Sequence, residues 1–429
     1  MSTLRKYLLY GINLPRLRNG IISIGEKQYK AIFPIIFFFL MLICYHFGRV
    51  QILSIHSNII AKVSIYMYDF VCVFIAVIGI LRIISRIGKP FLARSVELAL
   101  KNVGFVDKHG DSPMLLSKSN EEKVSVYTFY SKTIPLKKYR DSQELIETAL
   151  NVNVLSLDSG KDCQHVIMKA VKANQELPEV INWNDDFLPE DDLVVCLGES
   201  MLGREYLDFN VNTHALIGGS TNSGKTKLAK LIAYQLIKRG ARIIIIDLKG
   251  GLDYQRDWSN KCKLVTEIEH VEAALRNINT IMNSRHKILK NTGYEDAYEY
   301  NKHHCEKMSP IIVLIDELAE LLDTKGLSKE QKSLIESFVK ILSSVSRIGR
   351  FANVHMIMST QRPDANVLEG QIKSNIDFKV VGKCDSVLSK IVLDNADGAE
   401  KVAKNQRGMF YTNTGKLFRA YLLDNNVNM

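Results

Sequence analysis

From Ala31 to Gly48 the chain has no Asp, Glu, Lys or Arg and consists largely of Ile, Phe, Leu and Met. After a short polar stretch, a second apolar run extends from about Val63 to Ile84. A helix needs about 20 consecutive apolar residues to cross the hydrocarbon core of a bilayer, so this pattern predicts two transmembrane helices joined as a hairpin. Asp69 near the start of the second run and Arg82 near its end suit the outer and inner interfaces. Beyond the hairpin the pattern changes. Lys123–Tyr130 (KVSVYTFY) alternates as a half-buried strand does, Ser142–Leu150 reads as a short amphipathic helix, and Asn153–Leu157 and Cys163–Val171 read as further strands. These elements predict a small α/β module. The acidic, proline-containing stretch Pro178–Asp192 reads as a boundary.

From Thr213 onward, short apolar runs predict a buried sheet. They lie at Thr213–Ile217, Arg242–Asp247, Ile311–Ile315, Val354–Ser359 and, more weakly, Asp377–Val381. The unbroken run Ile311–Ile315 has the composition of a parallel strand covered on both faces. Leu228, Leu231, Ile232, Tyr234, Leu236 and Ile237 give Lys227–Lys238 the apolar spacing of a helix, and a second helix is expected over Lys329–Val345. The expected organisation is a membrane anchor over 1–90, a small α/β linking domain over 91–195 and a larger α/β domain over 196–429.

Charge orients the hairpin. Arg5, Lys6, Arg16, Arg18, Lys27 and Lys30 precede the first run, and Arg82, Arg86, Lys89 and Arg94 close the second, whereas Arg49 and Lys62 are the basic residues between. Basic residues concentrate on the cytoplasmic side, so the N-terminus and everything after the second run are expected in the cytoplasm, on a multi-pass protein of the cell membrane. About 30 residues precede the first run and no small-residue cleavage site follows it, unlike a cleaved signal peptide. The net charge of +10 implies a polyanionic partner, nucleic acid or anionic lipid, with part of the excess explained by the juxtamembrane residues. An apolar fraction of 46% and a charged fraction of 24% exclude wholesale disorder. The seven cysteines are scattered and never paired as CxxC, which argues against a disulfide framework or a zinc site.

The chemistry enters after the strand at Thr213–Ile217. Gly219, Ser220, Thr221, Asn222, Ser223, Gly224, Lys225 and Thr226 form GxxxxGKT between a strand and a helix, the context this phosphate-binding loop requires. Its amides and the helix N-terminus suit the phosphates of ATP, Lys225 the β- and γ-phosphates, and the Thr226 hydroxyl Mg²⁺. Asp316 and Glu317 follow Ile311–Ile315 at the strand's carboxyl end, where ligands bind in open α/β sheets. Asp316 is the expected Mg²⁺ partner and Glu317 the group that polarises the attacking water. Gln361, at the end of Val354–Ser359, is placed to sense the γ-phosphate or orient that water. Arg347 and Arg350, at the end of the second helix, are candidates for a fixed charge inserted into phosphate chemistry across an interface.

This set resembles the FtsK/SpoIIIE-type DNA translocases, within the RecA-like P-loop NTPase motors. The resemblance covers about Leu197–Tyr421 and rests on five ordered blocks. These are His214–Gly219 leading into the loop, Ile246–Gly250, Ile315–Leu321, Gly349-Arg350 with His355 and Ser359–Pro363, and Gln371–Ile376 with Asp385-Ser386. The resemblance implies a homo-hexameric ring on DNA with ATP between subunits, Arg350 as arginine finger in trans with Arg347 as runner-up, and Gln361 as sensor glutamine. The chromosome-pumping members carry more spans, a long linker and a C-terminal winged-helix domain. The shorter plan here resembles the coupling proteins of Gram-positive conjugative plasmids and integrative conjugative elements, with a relaxase and conjugation-channel proteins as partners. A membrane-anchored ATPase that translocates DNA in conjugative transfer is therefore expected. A chromosome translocase of division or sporulation, a protein-secretion ATPase and an ATP-switched docking receptor for a secretion channel are the alternatives.

Overall fold

The computed structural model describes residues 14–55, 59–121, 124–254, 257–324, 326–361 and 370–424. They form two compact units, one reaching to Gln175 and one beginning at Glu176.

In the first unit an amphipathic helix, Leu14–Glu26, precedes two long apolar helices, Ile32–Ile55 and Ile59–Ile87. Within them Gln28–Ile52 and Val63–Ile87 are long and apolar enough to cross a membrane. Phe33, Phe39, Phe70 and Phe74 stand exposed along them, surface that water disfavours and lipid accepts. Gly48 lies against Tyr68 and Gly79 against Phe37, with no room for a Cβ at either, so the small residues set the helix–helix approach. Arg49 belongs to the first helix rather than to the connection, and its guanidinium is 4.0 Å from Asp69 on the second. Arg5 and Lys6 lie outside the described residues.

The same unit holds a four-stranded antiparallel sheet of β1 (Met114–Glu121), β2 (Val124–Tyr130), β3 (Val152–Ser159) and β4 (His165–Lys172), ordered β1-β2-β4-β3. Helices Ala93–Asn102 and Gln143–Leu150 close its core on Leu100, Phe105, Phe129, Tyr139 and Met168. Three of the strands follow the sequence pattern. The edge strand β1 escaped it because its outer half, Ser117–Glu121, is polar and largely exposed.

The second unit is built on ten strands: β5 (Val194–Ser200), β6 (Gly203–Asp208), β7 (His214–Gly218), β8 (Arg242–Ile246), β9 (Lys263–Val265), β10 (Ile311–Ile315), β11 (Val354–Thr360), β12 (Phe378–Val381), β13 (Met409–Thr412) and β14 (Leu417–Ala420). Their order is β6-β5-β14-β13-β12-β7-β11-β10-β8-β9, with β12 through β9 parallel and the rest antiparallel. Alternate residues of β8 and β10 enter different cores. Ile244, Ile246, Val313 and Ile315 pack with helices Ile268–Thr292 and Lys329–Ile348, while Ile243, Ile245, Ile312 and Leu314 pack with helix Lys225–Lys238. Burial on both faces explains why these strands read as unbroken apolar runs. A capping box at Ser328 and Gln331 starts the helix that ends before Gly349. The segment read as a boundary packs on this unit: the Trp183 amide donates to Leu422 O (2.9 Å) and the Tyr234 hydroxyl to Asp185 (3.0 Å).

Two buried imidazoles brace the amino ends of the central strands. His214 Nδ1 accepts the Met356 amide at 3.0 Å, and His355 contacts Thr213 O (3.0 Å) and Asn353 Oδ1 (2.9 Å). Burial holds His214 down to about 3 and His355 down to about 4. Both rings are therefore neutral when folded and take up protons near pH 6.5 once unfolded. Their contribution is complete above pH 6.5 and is lost as the pH falls toward those lower values, by ~2 kcal/mol per ring between pH 6.5 and 5. Heat unfolding of the detergent-solubilised chain should show a lower midpoint at pH 5 than at pH 7. A His214→Gln variant should flatten that dependence by about one proton.

Candidate nucleotide site

The carboxyl ends of β7, β11, β10 and β8 lie side by side, and each delivers part of one site. β7 runs into the loop Gly218–Gly224, which opens helix Lys225–Lys238. Gly224 has φ of +105°, open to glycine and strained for other residues, and a Cβ at Gly219 would meet Ser223 Oγ at 2.5 Å. The loop is tied to its surroundings at three points: the Gly219 amide donates to Thr360 O (3.2 Å), the Ser220 amide to Lys383 O (2.7 Å), and the Gly408 amide to Ser223 O (3.0 Å).

Lys225 is buried, and its ammonium donates to the carbonyls of Gly219 (2.6 Å) and Ser220 (3.2 Å). Burial lowers its pKa, while Glu317 and Asp316 act in the opposite direction. The Ser223 hydroxyl is fully buried with no hydrogen-bond partner among the described residues. A buried cation resting on carbonyls and an orphaned hydroxyl, inside a glycine cradle at a helix N-terminus, fit a polyphosphate.

The acidic side fits a small divalent cation. Asp316 Oδ1 accepts from the Thr226 hydroxyl at 3.4 Å and from the Tyr254 hydroxyl at 3.2 Å. Burial, and then the neighbouring Asp247, raise the Asp316 pKa. A cation between the Thr226 hydroxyl and the Asp316 carboxylate would relieve that unfavourable charge, and hard oxygen donors suit Mg²⁺. When bound, Mg²⁺ would neutralise charge on the phosphates there.

Glu317 is also buried. Its Oε1 accepts from the Gln361 amide and the Thr360 hydroxyl, both at 3.2 Å, and its Oε2 faces Lys249 Nζ at 3.8 Å. Lys249 also reaches Glu320 at 3.9 Å. The Gln361 side chain accepts from the Thr221 hydroxyl at 3.1 Å, so it spans from the phosphate loop to the residue that carries Glu317's hydrogen bond. This follows from strand order, because β11 lies between β7 and β10.

The fold thus gathers Gly219–Thr226, Asp316, Glu317 and Gln361 at one edge of the sheet. It does not bring Arg350 there. Arg350 is exposed in the turn before β11, at the strand's amino end, whereas Gln361 follows its carboxyl end. Arg347 donates to Ser343 O of its own helix at 3.3 Å. Arg362 and Pro363 lie outside the described residues. Tyr254 and Lys249 were not foreseen in the site. Lys249 stood in a recognised block, but its contact with Glu317 depends on β8 lying beside β10.

The fold and this site define a P-loop ATPase domain with a RecA-like parallel sheet at its centre. The family profile described as "Helicase HerA, central domain" matches residues 196–369. The chain is 29% identical over 249 residues to DNA translocase FtsK of Sporosarcina ureae, covering 53% of this chain and 30% of that protein. It is 25% identical over 344 residues to DNA translocase FtsK of Leptospira interrogans, covering 74% of this chain and 34% of that protein. The chain thus spans about a third of the length of these curated relatives. Among solved structures it is similar to the pCW3 conjugation coupling protein TcpA, in a monomer form with ATPγS, at 29% identity and a TM-score of 0.58, covering 78% of this chain and 96% of that one. The resemblance to FtsK/SpoIIIE-type translocases holds in sequence, and TcpA is similar in both sequence and fold.

Proposed function

We propose that this chain is a membrane-anchored, ATP-driven DNA translocase that acts as a coupling protein in conjugative DNA transfer. The observation that carries the reading is the match to TcpA, which covers 96% of that chain and 78% of this one. The loop amides and Lys225 bind the β- and γ-phosphates. Thr226 and Asp316 hold Mg²⁺. Glu317, fixed by the Gln361 amide and the Thr360 hydroxyl, accepts a hydrogen bond from the attacking water and orients it in line. Gln361 links the phosphate loop to that base, so loss of the γ-phosphate is felt at β11. Arg350 of the neighbouring subunit supplies the missing positive charge in a homo-hexameric ring. The two apolar helices anchor the ring with both chain ends in the cytoplasm, residues 91–195 link anchor to motor, and a relaxase and channel proteins are the partners.

The test is hydrolysis by the full chain in detergent with single- and double-stranded DNA. DNA should stimulate turnover. Because the contacts are to phosphates, the half-saturating DNA concentration should rise about a thousandfold between 50 and 200 mM salt for a footprint of some six phosphates. Turnover indifferent to DNA, or stimulation indifferent to salt, overturns the DNA reading. A relaxase gene beside this one supports conjugation, and division or sporulation genes there support the chromosome alternative.

A further inference from the structure

A cleft of about 630 Å³ opens in the first unit, away from the nucleotide site, where the two apolar helices meet the small sheet. Lys30 comes from the turn just before helix Ile32–Ile55, and Lys89 follows helix Ile59–Ile87 by two residues. They therefore mark the ends of both candidate spans at one level. Lys118 of β1 and Lys161, between β3 and β4, face the same cleft from the sheet. Glu26 is the acidic residue in the lining. Lys89 lies 3.9 Å from Glu97, whose charge is shared with Arg16, and Lys118 sits 4.8 Å over the Tyr127 ring. Four lysines thus line one cleft whose lining holds the single acidic residue Glu26.

A second feature has a different chemistry. Phe91 lines the cleft and is fully exposed, and Ile22 lines it from helix Leu14–Glu26 with half its surface open. Leu14 and Ile21 of that helix are exposed as well. A dissolved anion gains nothing from such apolar rims. A molecule with a phosphate head and hydrocarbon tails matches both halves, as basic pockets at the cytoplasmic ends of spans do.

We propose that this cleft is a binding site for the phosphate-bearing headgroup of an anionic phospholipid, with Lys30, Lys89, Lys118 and Lys161 around the phosphate and Ile22 and Phe91 against the acyl region. The inference rests on the reading of the two helices as membrane spans.

The experiment uses the full chain in detergent, with lipid binding followed by native mass spectrometry during titration with phosphatidylglycerol or phosphatidylcholine. Phosphatidylglycerol should bind more tightly than phosphatidylcholine. A Lys118→Ala/Lys161→Ala variant, altered only on the sheet, should weaken phosphatidylglycerol binding about thirtyfold. A Lys132→Ala/Lys137→Ala control should bind as the parent does. Equal binding by parent and variant, or no preference for the anionic lipid, overturns the proposal. Displacement of the lipid by millimolar inorganic phosphate assigns the cleft to a soluble anion and overturns the lipid source. Loss of duplex oligonucleotide binding in the same variant, with lipid binding intact, overturns it in favour of nucleic acid. Carbonate washing of cell membranes tests the spans separately. A chain released by the wash refutes the membrane reading, whereas a retained chain whose variant binds lipid normally refutes the cleft alone.

Discussion

Replacing Glu317 by Gln should lower the rate of ATP hydrolysis about a thousandfold while leaving ATP affinity near that of the parent. The structure gives the reason for both halves. Glu317 Oε1 accepts from the Gln361 amide and the Thr360 hydroxyl at 3.2 Å, and an amide oxygen can accept the same bonds. The side chain therefore keeps its place at the end of β10 but no longer carries the charge that polarises water. Lys249 loses its partner at 3.8 Å yet retains Glu320 at 3.9 Å, so no cation is left stranded. The contacts proposed for the phosphates come from Gly219–Thr226 and are untouched. Single-turnover hydrolysis measured alongside nucleotide binding separates the outcomes. Hydrolysis at the parent rate removes Glu317 from the chemistry. Loss of nucleotide binding makes it a structural acid instead.

The placement of the candidate site residues was legible in the sequence because most parts of the site are local. A loop of fixed spacing between a strand and a helix, and two acids at the end of an unbroken apolar run, are consequences of backbone geometry that neighbouring residues dictate. Gln361 was also legible, since it ends a strand, and β11 does place it between the phosphate loop and the acids. What the sequence did not show depends on lateral strand order. Lys249 reaches Glu317 because β8 pairs with β10, and the Tyr254 hydroxyl reaches Asp316 from beyond the end of β8 at Ile246. Neither contact leaves a periodicity. The antiparallel strands β5, β6, β13 and β14 went unread for a related reason. The last two have four residues each, and Glu205 in β6 and Arg419 in β14 are buried polar residues that interrupt the apolar pattern. In the apolar hairpin, composition located both helices but misplaced Arg49. A charge read as a loop residue lies inside the first helix, with Asp69 of the second helix 4.0 Å from its guanidinium.

Replacing Arg350 by Ala should lower hydrolysis about a thousandfold or more, again with little change in ATP affinity, and the loss should be repairable by another defective subunit. β11 runs from Val354 to Thr360, and at ~3.3 Å per residue its ends lie about 20 Å apart. Arg350 precedes one end, and the phosphate loop lies beside the other. No arginine side chain spans that distance, so within its own chain Arg350 has no access to the γ-phosphate. A head-to-tail ring removes the difficulty by presenting the amino-end edge of one subunit to the nucleotide of the next. Mixing tests this directly. An Arg350→Ala subunit has an intact phosphate loop, and a Lys225→Ala subunit has an intact Arg350. In an equal mixture that assembles at random, about a quarter of the interfaces unite the intact halves. Two preparations that are each inactive should therefore regain hydrolysis on mixing and reassembly, a result that an arginine acting within its own chain cannot give. Inactivity of the mixture, with assembly demonstrated, would remove Arg350 as the finger. The same mixing with Arg347→Ala in its place would then decide whether the neighbouring arginine supplies the charge.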